Sequence, residues 1–172
     1  MTASPPPPVE FSRPLRLSEI GPAGLERVVR ASADECAALA QRMQVPAIAA
    51  LSCRWRLTRQ EGGRIHAEGD LEAALTRVCV VSLEPFATSQ HISFTVCFVP
   101  AGTEADDDPD SIDELPYENG LIDLGEATSE QLGLDLDPYP RRPGAVAPTS
   151  QQGAPGNPFA TLAERRGNGG QG

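Results

Sequence analysis

The chain has 172 residues, 40% of them hydrophobic, with 16 Gly, 17 Pro and a formal net charge of −10. One domain with attached linker-like segments fits this length and composition, whereas two full domains would be crowded. The N-terminus lacks the pattern of a signal peptide and no stretch reaches the roughly 18 apolar residues of a spanning helix, which predicts a cytoplasmic protein without a membrane partner.

The N-terminal region is expected to contribute strands at a sheet edge. Residues 1–8 are predicted to be disordered, and apolar residues then alternate with polar ones from Val9 to Leu17. This alternation predicts a strand, which Pro14 confines to an edge because proline has no N–H to donate to a neighbouring strand. A second short strand could follow at residues 25–30.

A capped helix is predicted next. Ser32 and Glu35 have the spacing of a capping box, in which the Ser oxygen and the Glu carboxylate accept hydrogen bonds from N–H groups of the first turn. Pro46 ends this helix. Apolar residues at helical spacing predict a buried face that carries Cys36, Leu39, Ala40 and Met43.

The clearest strand signal in the sequence is a hairpin. Apolar and polar residues alternate at 51–58 and again at 65–75, and Glu61-Gly-Gly63 between them has the composition of a turn. The pattern predicts two antiparallel strands with one solvent-facing side, on which opposite charges can pair across the strands. The charged residues in question are Arg54, Arg56, Glu68 and Asp70.

Two further strands complete the predicted domain. One begins near residues 77–81, and the other runs over 91–99 and is closed by Pro100. The sequence therefore predicts an α+β fold, in which residues 9–100 form an antiparallel, strand-rich domain with one well-capped helix.

The negative charge is concentrated in the last part of the chain. Residues 1–100 carry ten Arg and ten acidic residues, whereas residues 101–172 carry four Arg and fourteen acidic residues. Such a segment favours a basic protein partner over a nucleic-acid backbone, and a solvated acidic loop is the alternative. Residues 101–143 are therefore predicted to form an acidic arm that follows the domain.

Short helices are predicted within and after the acidic arm. Apolar residues at 121–136 fit one helical stripe, and a helix is preferred to a strand because Glu and Gln dominate its polar side. Residues 144–156 are predicted to be a linker, 157–166 a short docking helix that starts at Asn157-Pro158, and 167–172 a disordered tail.

The sequence contains no recognisable motif for catalysis, metal binding or cofactor binding, so neither an enzyme, a cofactor nor a small-molecule substrate is predicted. The four cysteines lie in apolar or periodic segments and are expected to be reduced and buried. A cysteine-dependent enzyme is the alternative. Its thiolate and base would be Cys79 with His91 or Cys53 with His66.

A strip of arginines on the hairpin is a candidate RNA contact. It consists of Arg54, Arg56, Arg59 and Arg64. Together with Trp55 these side chains could bind RNA through charge and stacking. The alternative is that Trp55 lies in the core, because it shares the phase of the apolar face, and that the arginines pair with nearby acids.

Several motifs follow one another in the order found in a known family. Residues 69–85, with the sequence GDLEAALTRVCVVSLEP, precede an alternating strand at 92–98 and the acidic run. DPYPR at 137–141 and NPFATLA at 157–163 look like C-terminal features of alphaproteobacterial members. Over most of residues 9–165 the chain thus resembles the YceD family of large ribosomal RNA subunit accumulation proteins. The matching family-motif positions are Cys79, Leu83, Pro85, Tyr139 and Arg141.

One motif departs from the family pattern. Members often show C-x-R-C-L-x-P, whereas this chain has Val81 and Ser82 in place of the arginine and the second cysteine. The departure argues against a metal or redox role. The resemblance implies a cytoplasmic, non-enzymatic factor that supports the synthesis, processing or stability of large-subunit ribosomal RNA.

The resemblance and the charge distribution together predict the class of partner. A basic ribosomal protein or a large-subunit assembly intermediate is expected to bind the acidic arm, with ribosomal RNA contact confined to the arginine strip. A general adaptor whose acidic arm binds another basic protein is the alternative. The candidate partner-binding residues are Asp106, Asp107, Asp108, Asp110, Asp113 and Glu114.

Overall fold

The computed structural model describes residues 9–103 and 112–146. The elements in chain order are β1 (Pro14–Arg16), β2 (Leu25–Arg30), α1 (Ala33–Arg42), β3 (Ala47–Arg59), β4 (Ile65–Val78), β5 (Pro85–Pro100), β6 (Asp113–Tyr117), β7 (Leu121–Asp123) and α2 (Leu124–Asp135). The predicted α+β, strand-rich fold is confirmed.

Most of the strands form one sheet with the order β2-β3-β4-β5-β6. Its neighbours pair antiparallel except for β5 and β6, which are parallel. One face of this sheet carries the hydrophobic core, which also contains buried side chains of α1 and α2. Within the described residues, no helix is long and apolar enough to cross a membrane.

The predicted central hairpin is confirmed by the pairing of β3 with β4. Arg54 lies opposite Asp70, and Arg56 lies opposite Glu68, on the face away from the core. Trp55 points to the other face and is 0% exposed. The alternation of the sequence therefore identified the buried side of these two strands and the rows of charged residues that face each other.

The separate strand predicted near residues 77–81 is wrong. β4 continues to Val78 and pairs there with Pro85, the first residue of β5. Sequence periodicity missed this because Arg77 occupies a core-facing position of β4, and Gln90 a core-facing position of β5. Arg77 is nonetheless only 9% exposed, since its guanidinium donates a hydrogen bond to the carbonyl of Asp137.

A fifth strand of the sheet, β6, has no signal in the sequence. It is five residues long, begins with two acids and contains Pro116. Its stability comes from parallel pairing with Val96–Pro100 at the end of β5, which is a contact between distant parts of the chain. Within the described residues, 113–136 therefore belongs to the same fold as β1 to β5 and does not extend from it as an arm.

Several predicted segments lie outside the described residues. They are the N-terminal segment 1–8, the acidic run 104–111, most of the linker 144–156, the docking helix 157–166 and the tail 167–172.

The N-terminal strand is shorter than the predicted range. Only Pro14–Arg16 forms β1, and it pairs with β7 alone in a two-stranded sheet. Its place at a sheet edge agrees with the prediction, because proline lacks the N–H that pairing on a second side would require. Phe11 and Leu15 from this region are buried in the core.

The predicted capping box starts α1. Ser32 Oγ accepts a hydrogen bond from the Glu35 N–H at 3.3 Å, and Glu35 Oε2 accepts one from the Ser32 N–H at 2.7 Å. The Arg13 guanidinium contacts both Glu35 oxygens at 2.8 Å and is the main cause that lowers the pKa of Glu35 to about 2. This ion pair ties the N-terminal segment to the start of α1.

The preference for a helix in the 121–136 region is confirmed for Leu124–Asp135, which forms α2. Asp123 caps it, since its carboxylate accepts hydrogen bonds from the N–H groups of Gly125 and Glu126 at 2.9 and 3.1 Å. The helix lies against the sheet, where Thr128 Oγ1 accepts a hydrogen bond from Trp55 Nε1 at 3.1 Å.

Candidate functional site

The four arginines of the predicted strip do not form one surface. Arg54 and Arg56 are exposed on the outer face of β3. Arg59 instead turns toward the N-terminal segment, where its guanidinium donates hydrogen bonds to the carbonyls of Ile20 and Leu17. The strip is therefore interrupted after Arg56.

Acidic neighbours neutralise most of the positive charge of the other candidate arginines. Arg56 contacts Glu26 at 3.2 Å, Glu68 at 3.6 Å and Asp70 at 4.0 Å. Arg64 forms an ion pair with Glu114 on β6. Of the four candidates, only Arg54 makes no ion pair or side-chain hydrogen bond within the described ranges. Because Trp55 is buried, its ring is not available on this face as a platform on which a base could stack.

The structure describes two of the six candidate partner-binding acids. Asp113 is exposed at the start of β6, whereas the Glu114 side chain is 14% exposed and paired with Arg64. A partner could therefore contact Asp113 without breaking an existing ion pair. Contact with the Glu114 carboxylate would compete with its ion pair to Arg64. The other four lie outside the described residues: Asp106, Asp107, Asp108 and Asp110.

The family-motif positions at 79–85 form the tight connection between β4 and β5. The Cys79 N–H donates to the carbonyl of Glu84 at 2.9 Å, and the Leu83 N–H donates to the carbonyl of Cys79 at 2.8 Å. Leu83 has a φ of +59°, in the left-handed region that a bulky side chain rarely adopts, and its side chain is 76% exposed. The turn thus presents a leucine to solvent at a cost in backbone strain.

The second motif segment, 137–142, packs directly on this turn. The Val80 N–H donates to the carbonyl of Pro140 at 2.9 Å, and Arg142 forms an ion pair with Glu84 at 2.8 Å. Two segments that are more than fifty residues apart in the chain therefore meet at one end of the sheet. We call four of their exposed residues the motif surface, namely Val80, Leu83, Tyr139 and Arg141.

Cys79 is enclosed between the two motif segments. Its side chain is 0% exposed, yet it is not part of the main core cluster. The sulfur accepts a hydrogen bond from the Ser82 N–H at 3.5 Å. The polar groups around the sulfur, chiefly the nearby Ser82 hydroxyl and then the backbone N–H of Arg142, lower the pKa of the Cys79 thiol to about 6, although Ser82 Oγ itself makes no hydrogen bond within the described residues. These donors favour the thiolate because each places a positive end of a dipole at the sulfur.

We predict that the pKa of the Cys79 thiol lies well below that of an ordinary thiol. Thiolate ultraviolet absorbance of the folded protein should rise with a midpoint near pH 6, the pKa that the turn gives Cys79. Because the folded pKa is depressed, the associated stabilisation is present at alkaline pH and is lost as the pH falls through this midpoint.

Two variants control this titration. Cys79→Ser should remove the transition, and Ser82→Ala should move it toward the value of about 8.5 for a free thiol. A wild-type protein without thiolate absorbance below about pH 8 would contradict the lowered pKa of Cys79.

The described geometry brings neither proposed cysteine and histidine pair together. Cys53 faces the core from β3, whereas His66 occupies an outward position on β4. His91 pairs with Glu72, so at about 3.3 Å per strand residue it lies roughly 20 Å from Cys79. Neither of the two predicted pairs is therefore placed for joint catalysis.

Cys36 and Cys53 behave as core residues. All four cysteines are buried and free. Burial raises the pKa of Cys53 to about 12 and also raises that of Cys36. Cys79 differs because its surroundings are backbone N–H groups and a hydroxyl, whereas Cys53 lies among apolar side chains.

Sequence reasoning missed the residues that join the motif segments. Glu84 and Arg142 form the ion pair between them, and Arg77 binds the carbonyl of Asp137. No periodicity links residues at this separation. The signal that could have found them was the presence of two motif segments of one family on the same chain, which suggests a shared surface.

A comparison with known families bears on the same region. A family model described as "Large ribosomal RNA subunit accumulation protein YceD" matches residues 67–164, which is more than half of the 172-residue chain. The match includes both motif segments and almost all of β4. No curated protein and no solved structure matches the chain.

Proposed function

Because the chain belongs to the YceD family of large ribosomal RNA subunit accumulation proteins, we propose that it supports the synthesis, processing or stability of that RNA by binding a protein. The proposed partner is a basic ribosomal protein or a large-subunit assembly intermediate. Its contact is the acidic part of the chain around residues 106–130. No catalytic step is part of the proposal.

The neutralisation of the arginine strip is the observation that carries this proposal. Arg56 is surrounded by three acids and Arg64 is paired with Glu114, so little positive charge remains for a phosphate backbone. The formal net charge of −10 makes approach to a polyanion unfavourable as well. RNA contact is therefore proposed only as a minor one, at Arg54.

The motif surface is a second proposed contact for the same partner. Leu83 and Tyr139 are 76% and 71% exposed. Exposed aromatic and aliphatic side chains can fill pockets of a partner, and Tyr is enriched among residues that contribute most to protein binding. The acids would then increase the association rate while the motif surface adds contact area.

Affinity purification at two salt concentrations tests the proposal. The tagged full chain is incubated with lysate of its own organism, treated or not with ribonuclease, and bound ribosomal proteins and precursor RNA are identified. We expect large-subunit proteins to be retained at low salt, to be lost at high salt because charge attraction is screened, and to be insensitive to ribonuclease.

Matched variants separate the two charge groups. Neutralising the four acids of the 106–110 run to Asn should abolish retention, whereas Arg54→Ala with Arg56→Ala should leave it unchanged. Retention that depends on the arginines and disappears with ribonuclease would overturn the protein-binding proposal. Absence of any large-subunit protein at low salt would overturn it as well.

A general adaptor role is the second candidate, favoured only by the acidic composition. It predicts that the precursor and mature large-subunit RNA are unchanged in a strain that lacks the gene. Sucrose-gradient profiles and RNA quantification of that strain separate the two candidates, because the proposed function requires a deficit of large subunits.

A further inference from the structure

The strand β5 has one side without a partner over most of its length. β6 pairs only with Val96–Pro100, and within the described part of the chain no strand pairs with the same side of Pro85–Thr95. We call this stretch of β5 the free edge. Its unpaired N–H and C=O groups are a template for another strand, in the way that exposed sheet edges generally are.

The free edge lacks the features that normally prevent such pairing. The opposite edge of the sheet, β2, contains three charged residues among six: Glu26, Arg27 and Arg30. The eleven residues of the free edge contain no Asp, Glu, Lys or Arg, and proline occurs only at its first position. Charged side chains and internal prolines protect natural edges, so β2 is protected and β5 is open.

The middle residue of the free edge has an unsatisfied polar group. Gln90 lies opposite Ala73, a core residue of β4, and thus on the core-facing side of the sheet. Its amide oxygen Oε1 is buried and has no hydrogen-bond partner among the residues that the structure describes. Buried amide oxygens are almost always paired in folded proteins, which indicates that a donor is missing at this position.

We propose that the free edge pairs antiparallel with the free edge of a second copy of this chain, with the two-fold axis at Gln90. Residue 90 is the midpoint of 85–95, so pairing about this axis uses the whole free edge and stops where β6 begins. The two five-stranded sheets would join into one sheet of ten strands, within the usual range for open sheets.

The residues that face one another in this register are compatible. On the core-facing side, Phe86 of one copy lies opposite Phe94 of the other, and both are only partly buried in the single chain. Aromatic pairs across antiparallel strands are favourable. On the outer side, His91 lies opposite Ser89 of the other copy, so no like charges oppose each other.

The central pair explains why the partner is a second copy. At the axis, the two Gln90 side chains lie next to each other, and once each amide turns from its buried orientation toward the axis, its Nε2 can donate to the Oε1 of the other, which supplies a donor in both chains at once. An unrelated extended peptide could use the backbone of the free edge but would need its own donor opposite residue 90. The symmetric pattern around Gln90 therefore favours self-association.

Sedimentation of the full chain tests this arrangement. The wild-type protein should sediment at twice its 18.2 kDa monomer mass. Gln90→Glu and Gln90→Lys should each weaken association by roughly a hundredfold or more, because like charges would face each other at the axis. An equimolar mixture of the two variants should regain the dimer, since opposite charges then meet.

Circular dichroism is used to check that both variants fold. Val28→Glu on the β2 edge is the matched control, and it should leave the dimer intact. A wild-type protein that sediments as a monomer at high concentration would overturn the proposal. So would single variants that remain dimeric, or monomeric variants that fail to associate when mixed. Association with an extended peptide instead of itself would show that the edge serves another protein.

Discussion

Replacing Trp55 with alanine is expected to lower the free energy of unfolding by about 3–5 kcal/mol. Trp55 is 0% exposed, and its ring packs edge-on against Phe94 at 5.1 Å and at a tilt against Phe98 at 6.1 Å. Its Nε1 donates to Thr128, which links the sheet to α2. Alanine would leave a cavity at the junction of both layers, and neighbouring side chains can fill it only in part.

Urea denaturation followed by far-ultraviolet circular dichroism measures this loss, since the chain has one tryptophan and the variant has none. Domains of this size are stable by about 5–15 kcal/mol, so the alanine variant could be largely unfolded at the outset. Trp55→Phe is the control, because it retains an aromatic ring and should lose less. If the free energy of unfolding of the alanine variant decreases by less than about 1 kcal/mol, the site is not tightly packed.

Replacing Gly125 with alanine is expected to destabilise the protein by about 1–3 kcal/mol. A Cβ at this position would lie 2.6 Å from the carbonyl oxygen of Phe11 and 2.9 Å from the nitrogen of Arg13. Both contacts are with backbone, which Asp123 holds in place by accepting a hydrogen bond from the Arg13 N–H at 2.7 Å. The N-terminal segment would have to move away from α2 and weaken that bond.

Gly133 provides the control within the same helix. A Cβ there would have no neighbour within 4 Å. Gly133→Ala should therefore stabilise the protein by about 0.5–1 kcal/mol through the better helix propensity of alanine. Thermal and urea unfolding of the two variants should shift in opposite directions. Equal shifts would contradict the close approach of the N-terminal segment to α2.

Gly69 illustrates a packing requirement that periodicity does not reveal. It lies opposite Phe94 in the β4 and β5 pair, and a Cβ on Gly69 would come within 2.3 Å of the Phe94 ring. In the sequence this glycine interrupts an otherwise regular apolar series and looks like a weak point of the strand. In the fold it provides the space that lets Phe94 reach Trp55.

The local elements follow from short-range patterns and could be read from the residues. The Ser32 and Glu35 cap, the β3 and β4 hairpin and the burial of Trp55 are of this kind. In each case the pattern spans one turn of helix or a few strand residues. Hydrogen bonding and solvent exclusion act over the same distance, so the pattern carries the information.

The surfaces that bear on function depend on contacts between residues far apart in the chain. Such contacts pair Arg64 with Glu114 and hold Arg142 against Glu84. They also place β6 beside Val96–Pro100 alone, so within the described residues one side of Pro85–Thr95 has no partner strand. No local periodicity specifies which distant acid neutralises an arginine or which strand occupies an edge, because these choices depend on how the whole chain packs.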